Sequence, residues 1–164
     1  MSFSPRHFAA ILSLGFGFAA TATNAAESDV TGWWLDESKA GGILIAPCDD
    51  KLGSDRMCGT LGWMLHPLDD EGQPKIDRKN PDAQLRGRPF CGLQLMGGFA
   101  KVGAEEWEDG WIYDPDHGDT YQSKFQLLPD GTLKLRGFIG ISLLGRSQIW
   151  TRPTEALPHC IPPS

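Results

Sequence analysis

From residue 32 onward, glycine, proline and aspartate cut the chain into short stretches of β-forming residues, none longer than nine. Residues 32–35, 42–46, 57–65, 90–96, 107–113, 120–128, 132–138 and 145–152 each read as a strand. Several alternate in character. Met57, Leu61, Trp63 and Leu65 share one face, with Thr60 on the other. Tyr121, Ser123, Phe125 and Leu127 face one way, and Leu133 and Leu135 oppose Lys134 and Arg136. A period of two marks a half-buried strand, because successive side chains leave opposite faces of the backbone. Asp114 to Asp119 and Pro129-Asp130-Gly131 are turn sequences between such strands. About eight strands joined mostly by short turns predict an all-β fold, an antiparallel up-and-down barrel, with glycines letting the strands bend as the sheet closes. The longest irregular stretch is 66–88. Within it, 80–86 reads as one short helix, with Asn80 as N-cap, Pro81 in the first position and Gly87 at the exit. The strand over 90–96 is expected to break at Gly97-Gly98.

The first 26 residues have a different character. Arg6 is the one certain charge in 1–7, residues 8–20 are apolar or small, and Ala22, Thr23, Asn24, Ala25 and Ala26 follow. These are the three regions of a secretory signal peptide, with cleavage expected near Ala25 or Ala26. The apolar run is too short for a spanning helix of about 20 residues, and no later stretch is long enough, so the chain is not expected to span a membrane. Residues 27–164 are expected to form a single β-barrel domain with a Pro-rich C-terminal tail (Pro153, Pro158, Pro162, Pro163). Removing Arg6 leaves 14 basic and 21 acidic residues, 14 − 21 = −7. A charge of that sign gives no electrostatic case for nucleic acid or for an anionic membrane surface.

Cys48, Cys58, Cys91 and Cys160 all follow the signal. An even count in an exported chain points to two disulfides. Three pairings are open. The short turn-rich loop favours Cys48 with Cys58, which leaves Cys91 with Cys160 to pin the tail. The spacing does not fit a zinc knuckle, and no metal or cofactor is expected.

Taken in order, Gly32-Trp33-Trp34, Ile45-Ala46-Pro47-Cys48, Met57-Cys58-Gly59 with Trp63, Asp77, Asn80-Pro81-Asp82 and Arg88-Pro89-Phe90-Cys91-Gly92-Leu93 make a recognisable series. It continues with Gly110-Trp111-Ile112-Tyr113-Asp114-Pro115, Gly118, Thr120-Tyr121, Leu133-Lys134-Leu135-Arg136-Gly137 and the run from Leu144 to Arg152. The set resembles the exported bacterial family called domain of unknown function 2147, from residue 32 to residue 152. That resemblance implies a secreted or periplasmic barrel of the lipocalin/calycin kind. It implies no activity and carries no catalytic residues. A second resemblance is to the lipocalins themselves. They open with Gly-x-Trp on the first strand and bring an arginine from near the end of the barrel against that tryptophan. Gly32-Trp33-Trp34 with Arg146 or Arg152 would supply those parts, as a cation–π contact closing one end.

Sites for chemistry are sparse. The turn 114–119 holds three aspartates but lacks the order of a calcium loop and reads as a structural turn. Asp69-Asp70-Glu71 with Asp77 and Asp82 reads as a solvated loop. His66, His117 and His159 sit beside prolines or in a turn, in no catalytic motif. A triad of His117, an aspartate and Ser123 or Ser142 is only a formal construction, and nothing singles out a glycosidase-like carboxylate pair. The aromatics say more. Trp33, Trp34, Trp63, Trp107, Trp111 and Trp150 all lie on expected strands, most of them as packing. On the last strand Arg146, Gln148, Trp150 and Arg152 share a face, and Arg136 is expected to join it. With Tyr113 and Tyr121 these residues would line a cup for an amphiphile. Three function classes follow. The first is a non-catalytic module binding a small apolar or amphipathic ligand through Tyr113, Tyr121, Arg136, Arg146 and Trp150. The second is an envelope protein that binds a protein partner through the loop 66–88. The third is a hydrolase of unrecognised type.

Overall fold

The computed structural model describes residues 29–49 and 55–160. The signal peptide read at 1–26 lies outside the described residues, as do 50–54 and 161–164. Eight strands follow in order: β1 (Gly32–Leu35), β2 (Gly41–Pro47), β3 (Arg56–Met64), β4 (Gln94–Lys101), β5 (Glu106–Asp114), β6 (Asp119–Leu127), β7 (Leu133–Phe138) and β8 (Gly145–Trp150). Each pairs antiparallel with the next in a single sheet. The sheet curls until its ends meet. Leu35 and Thr151 exchange backbone hydrogen bonds of 2.8 and 3.0 Å. The result is an up-and-down, lipocalin-like barrel, as the strand pattern predicts.

Alternation selects what faces in. Trp34, Ile43, Ile45, Met96, Phe99, Trp107, Phe125, Leu133, Leu135 and Trp150 are buried in one cluster. Most of this mass fills one end of the barrel. There Phe125 lies between Phe99 and Trp107, with ring centroids 4.8 and 5.0 Å away. Arg152 caps that end. Its guanidinium carbon lies 3.9 Å from the centroid of the Trp34 ring, and its nitrogens donate to the carbonyls of Asp29, Thr31 and Trp33 at 2.8, 2.8 and 3.3 Å. Of the two arginines weighed for this role, Arg152 holds it.

Both expected disulfides are present, Cys48–Cys58 and Cys91–Cys160. The second closes a separation of 69 residues, which the chain-entropy argument values at about 4 kcal/mol. It draws the irregular tail against β1–β3. The Cys160 N–H donates to the Gly62 carbonyl at 2.7 Å, and His159 meets Trp33 edge-on at 4.8 Å.

The structure departs from the sequence pattern at three places. The register of β3 shifts between its pairings with Ile43 and Gly42, so Trp63 does not share the inward face of Leu61, and Leu65 is exposed. A bulge adds one residue and flips every later side chain. β4 does not break at Gly97-Gly98 but runs through to Lys101. Gly98 takes φ +76, and a Cβ on Gly97 would press on Cys58 Sγ and Trp111. The helix expected at 80–86 is a single 3₁₀ turn, Ala83–Leu85, capped by Asp82, which accepts from the Gln84 N–H. Asn80 still accepts from the Asp82 N–H through Oδ1 at 2.9 Å, while its Nδ2 enters a buried network described below.

Candidate functional site

The end of the barrel opposite Arg152 is open. Four connections surround it: the β1–β2 turn, the long 65–93 connection, the β5–β6 turn and the β7–β8 turn. They enclose a cavity of about 1030 Å³. Its apolar wall includes Ile43, Leu61, Leu95, Ile112, Leu135 and Trp150. Polar groups gather toward the mouth, among them Asp36, Asp114, Asp119, Lys75 and Arg146.

The cup exists because β7 and β8 place their inward faces in register. Leu133 pairs with Trp150, Leu135 with Gln148 and Gly137 with Arg146. Trp150 and Leu135 are buried against the core, and the cavity begins above them. Gln148 accepts from the Trp150 indole N–H at 2.9 Å, which leaves its amide hydrogens for the cavity. Arg146 stands at the edge, exposed, with no hydrogen bond or ion pair to the described residues.

Four of the five residues picked from sequence border this cavity: Tyr113, Tyr121, Arg146 and Trp150. Arg136 does not. It pairs with Ser147 across β7–β8, one residue out of step with the inward set, and so projects from the opposite face. There it donates to the Ser142 carbonyl at 2.7 Å, the Ser147 hydroxyl at 3.0 Å and the Leu143 carbonyl at 3.2 Å. Its work is to hold the β7–β8 turn.

The two tyrosines differ. Tyr121 pairs with the inward-facing Ile112 and shares its side of the sheet. Burial raises its phenol above the ordinary value, and the charges of Asp119 and Asp114 add to the rise. Tyr113 sits one residue beyond Ile112, on the far side of β5, where the long connection covers it. Its hydroxyl donates to Asp77 Oδ1 at 2.6 Å. Burial is the first cause of its raised pKa, and the bond to Asp77 the second.

Asp77 is where the sequence reading fails most clearly. It does not belong to a solvated loop but is 0% exposed. Oδ2 accepts from Asn80 Nδ2 at 2.8 Å and from the Arg88 guanidinium through two nitrogens at 2.9 Å. Asn80 also donates to the Tyr113 hydroxyl at 3.2 Å. This network fastens the 65–93 connection to β5, and His66, Lys75 and Phe90 from the same connection form part of the cup wall. Nothing in the local sequence distinguishes Asp77 from its acidic neighbours. Only the fall of Tyr113 beneath it does.

The remaining candidates are structural in this setting. The acidic turn closes on itself: the Gly118 N–H donates to the Asp114 carbonyl at 2.7 Å, and the Asp116 N–H to Asp114 Oδ1 at 3.0 Å. Among the described residues no cluster of His, Cys, Asp or Glu is arranged to hold a metal ion. His117 Nδ1 meets Asp114 Oδ2 at 2.8 Å in the exposed turn, while the Ser123 hydroxyl donates to the Arg136 carbonyl at 3.0 Å. Among the described residues no helix is long and apolar enough to cross a membrane.

Comparison with known proteins agrees with this geometry. The chain is similar to the solved structure of protein HP1028 from Helicobacter pylori, which is described as belonging to the lipocalin family. The TM-score is 0.62 at 18% identity, over 77% of this chain and 84% of that one. At that identity the likeness is one of fold. No curated protein matches the chain. The Cys48–Cys58 disulfide, the Gly-Trp-Trp strand and the ordered motifs up to Arg152 all fall within one matching family model, so the chain belongs to DUF2147, described as an uncharacterized protein conserved in bacteria, over residues 32–152.

Proposed function

We propose that the chain is exported, loses its signal near Ala25 or Ala26, and acts in the periplasm or outside the cell as a non-catalytic binding module. In this reading residues 27–164 form a single domain that holds one small apolar or amphipathic molecule in its cup. The observation that carries this is the cavity of about 1030 Å³, apolar below and polar at its mouth, at the open end of a barrel. Ligand sites are commonly concave, mostly apolar spaces of roughly 300–1,000 Å³ with a few polar groups that fix orientation. The ligand's apolar part would rest on Trp150, Leu135 and Ile112. Its polar end would meet Tyr121, the Gln148 amide and the Arg146 guanidinium, which has no partner among the described residues and suits a carboxylate or phosphate. Tyr113 would contribute shape at the rim, its hydroxyl being held by Asp77. Two disulfides fit an oxidising compartment.

The test is native mass spectrometry of gently purified protein, followed by titration with a fluorescent fatty-acid probe. Gly137→Phe is the blocking variant. Gly137 is on the cavity wall, and a Cβ there would meet Ile112 and Tyr121 only at 3.5 and 3.6 Å. The backbone therefore accepts a side chain, and the ring must occupy the cup. The expected result is a retained or added ligand on the wild type and at least about a tenfold loss of probe affinity in Gly137→Phe, with a stability cost of no more than about 1–3 kcal/mol. A wild type that takes up neither native ligand nor probe would sink the proposal.

A further inference from the structure

We propose that the β7–β8 turn is a lipid-contact site that seats the mouth of the cup on a phospholipid surface. That an amphiphile then passes between bilayer and cup rests on the binding reading above; the contact itself does not. Within six residues Ile139, Ile141, Leu143 and Leu144 are 71, 60, 83 and 72% exposed. Among the described residues the other large exposed apolar side chains are dispersed: Leu65, Leu68, Leu85, Val102 and Ile149. Four neighbouring aliphatics facing water at a loop tip call for a partner.

The tip is built to keep them outward. Arg136 holds the carbonyls of Ser142 and Leu143, and the Leu144 N–H donates to the Ile141 carbonyl at 3.0 Å. Backbone polar groups satisfied within the loop are what an apolar surrounding requires. Charge identifies the occupant. Residues 131–154 contain no aspartate or glutamate in a chain with 21 acidic residues, and two of their bases, Arg136 and Arg146, flank the tip, while Lys134 and Arg152 lie toward the closed end. The net charge of the whole chain disfavours an anionic surface; this hairpin is its local exception. Aliphatic side chains at a tip with bases beside them match the acyl and phosphate layers of a phospholipid leaflet. The site is also continuous with the cup, since Ile139, Leu143, Leu144 and Arg146 border the cavity.

The test is flotation of the protein, recovered after export, with vesicles of phosphatidylethanolamine and phosphatidylglycerol. Ile141 is the residue to change, because it does not border the cavity. The wild type is expected to float with the vesicles. Ile141→Asp should lower partitioning about tenfold, and the uncharged Ile141→Ser by a smaller factor. Val102→Asp makes the same change at an exposed aliphatic in the β4–β5 turn, at the other end of the barrel, and should leave partitioning unchanged. Probe uptake by Ile141→Asp should equal that of the wild type, so failure of the cup and failure of the lipid contact give separate results. The proposal is overturned if the wild type stays with the soluble fraction or if both aspartate variants lose partitioning equally. It is also overturned if Ile141→Asp dissolves a dimer formed without lipid, which would make the tip a contact between copies of this chain.

Discussion

Replacing Asp77 tests whether one buried carboxylate holds the cup wall in place. Asp77 has no exposure and takes hydrogen bonds from Tyr113, Asn80 and two nitrogens of Arg88. Asp77→Ala leaves a phenol, an amide and a guanidinium without their acceptor. Removing one member of a buried ion pair costs roughly 3–5 kcal/mol. The Arg88 side chain is 36% exposed and can regain water, so the lower end applies, about 3 kcal/mol. Tyr113→Phe removes one hydrogen bond to a charged acceptor and should cost about 2 kcal/mol. The assay is urea unfolding of the oxidised protein at neutral pH, followed by tryptophan emission, with proteolysis at Arg78 or Lys79 as a local readout. Both variants should unfold at lower urea, Asp77→Ala more so, and the loop should become easier to cut. If Asp77→Ala lies within about 1 kcal/mol of wild type and its loop resists protease, the network is incidental and the reasoning is wrong.

Two further outcomes follow from the same geometry. The chain has two tyrosines, and both are harder to ionise in the fold, Tyr113 through burial and then Asp77, Tyr121 through burial and then Asp119. The stability tied to their neutral form is present below about pH 10 and is lost as pH climbs through the raised folded values. In Tyr121→Phe the phenolate absorbance should titrate above about pH 10 when folded and near 10 in denaturant; an ordinary midpoint in the fold would refute the buried hydroxyl. At the closed end, Arg152→Met removes a cation–π contact and the donor to three backbone carbonyls and should cost about 2–3 kcal/mol in the same unfolding assay. Arg152→Lys keeps the charge without the fork and should recover less than half of that loss.

Strand existence was legible because alternation is a local property. Leu133 and Leu135 against Lys134 and Arg136, or Ser123 and Phe125 in β6, announce their faces within a few residues. What joins one strand's face to the next was not. Local alternation points Arg136 to the cup because Arg146 and Trp150 share a face on the neighbouring strand. The pairing of Gly137, not Arg136, with Arg146 is set by the β7–β8 register and decides otherwise. The bulge that takes Trp63 off the face of Leu61, and Asp109 with φ +61 in β5, interrupt the period without a strong local mark. Asp77 and Tyr113 are 36 residues apart. Their partnership depends on how the 65–93 connection crosses β5, a tertiary fact.

The open and closed ends follow from how glycine is used on the inner wall. At the closed end glycines admit large neighbours. A Cβ on Gly110 would overlap Phe99, and one on Gly59 would come within 2.6 Å of Met96. There the missing side chain is replaced by another residue's ring or thioether, and packing is complete. At the mouth the missing side chain of Gly137 is not replaced. Gly137 finds its nearest neighbours at ordinary contact distance, and both Gly41 and Gly137 border the cavity. Composition records twenty glycines without saying which kind each is. A residue that lets Phe99 lie flat on a strand and a residue that leaves a cup empty are the same letter in the sequence. They separate only when the facing strand supplies a side chain or fails to. Selection for packing alone would favour a larger residue at Gly137, where the backbone accepts one. An unfilled site at that position is what a wall shaped for a ligand requires.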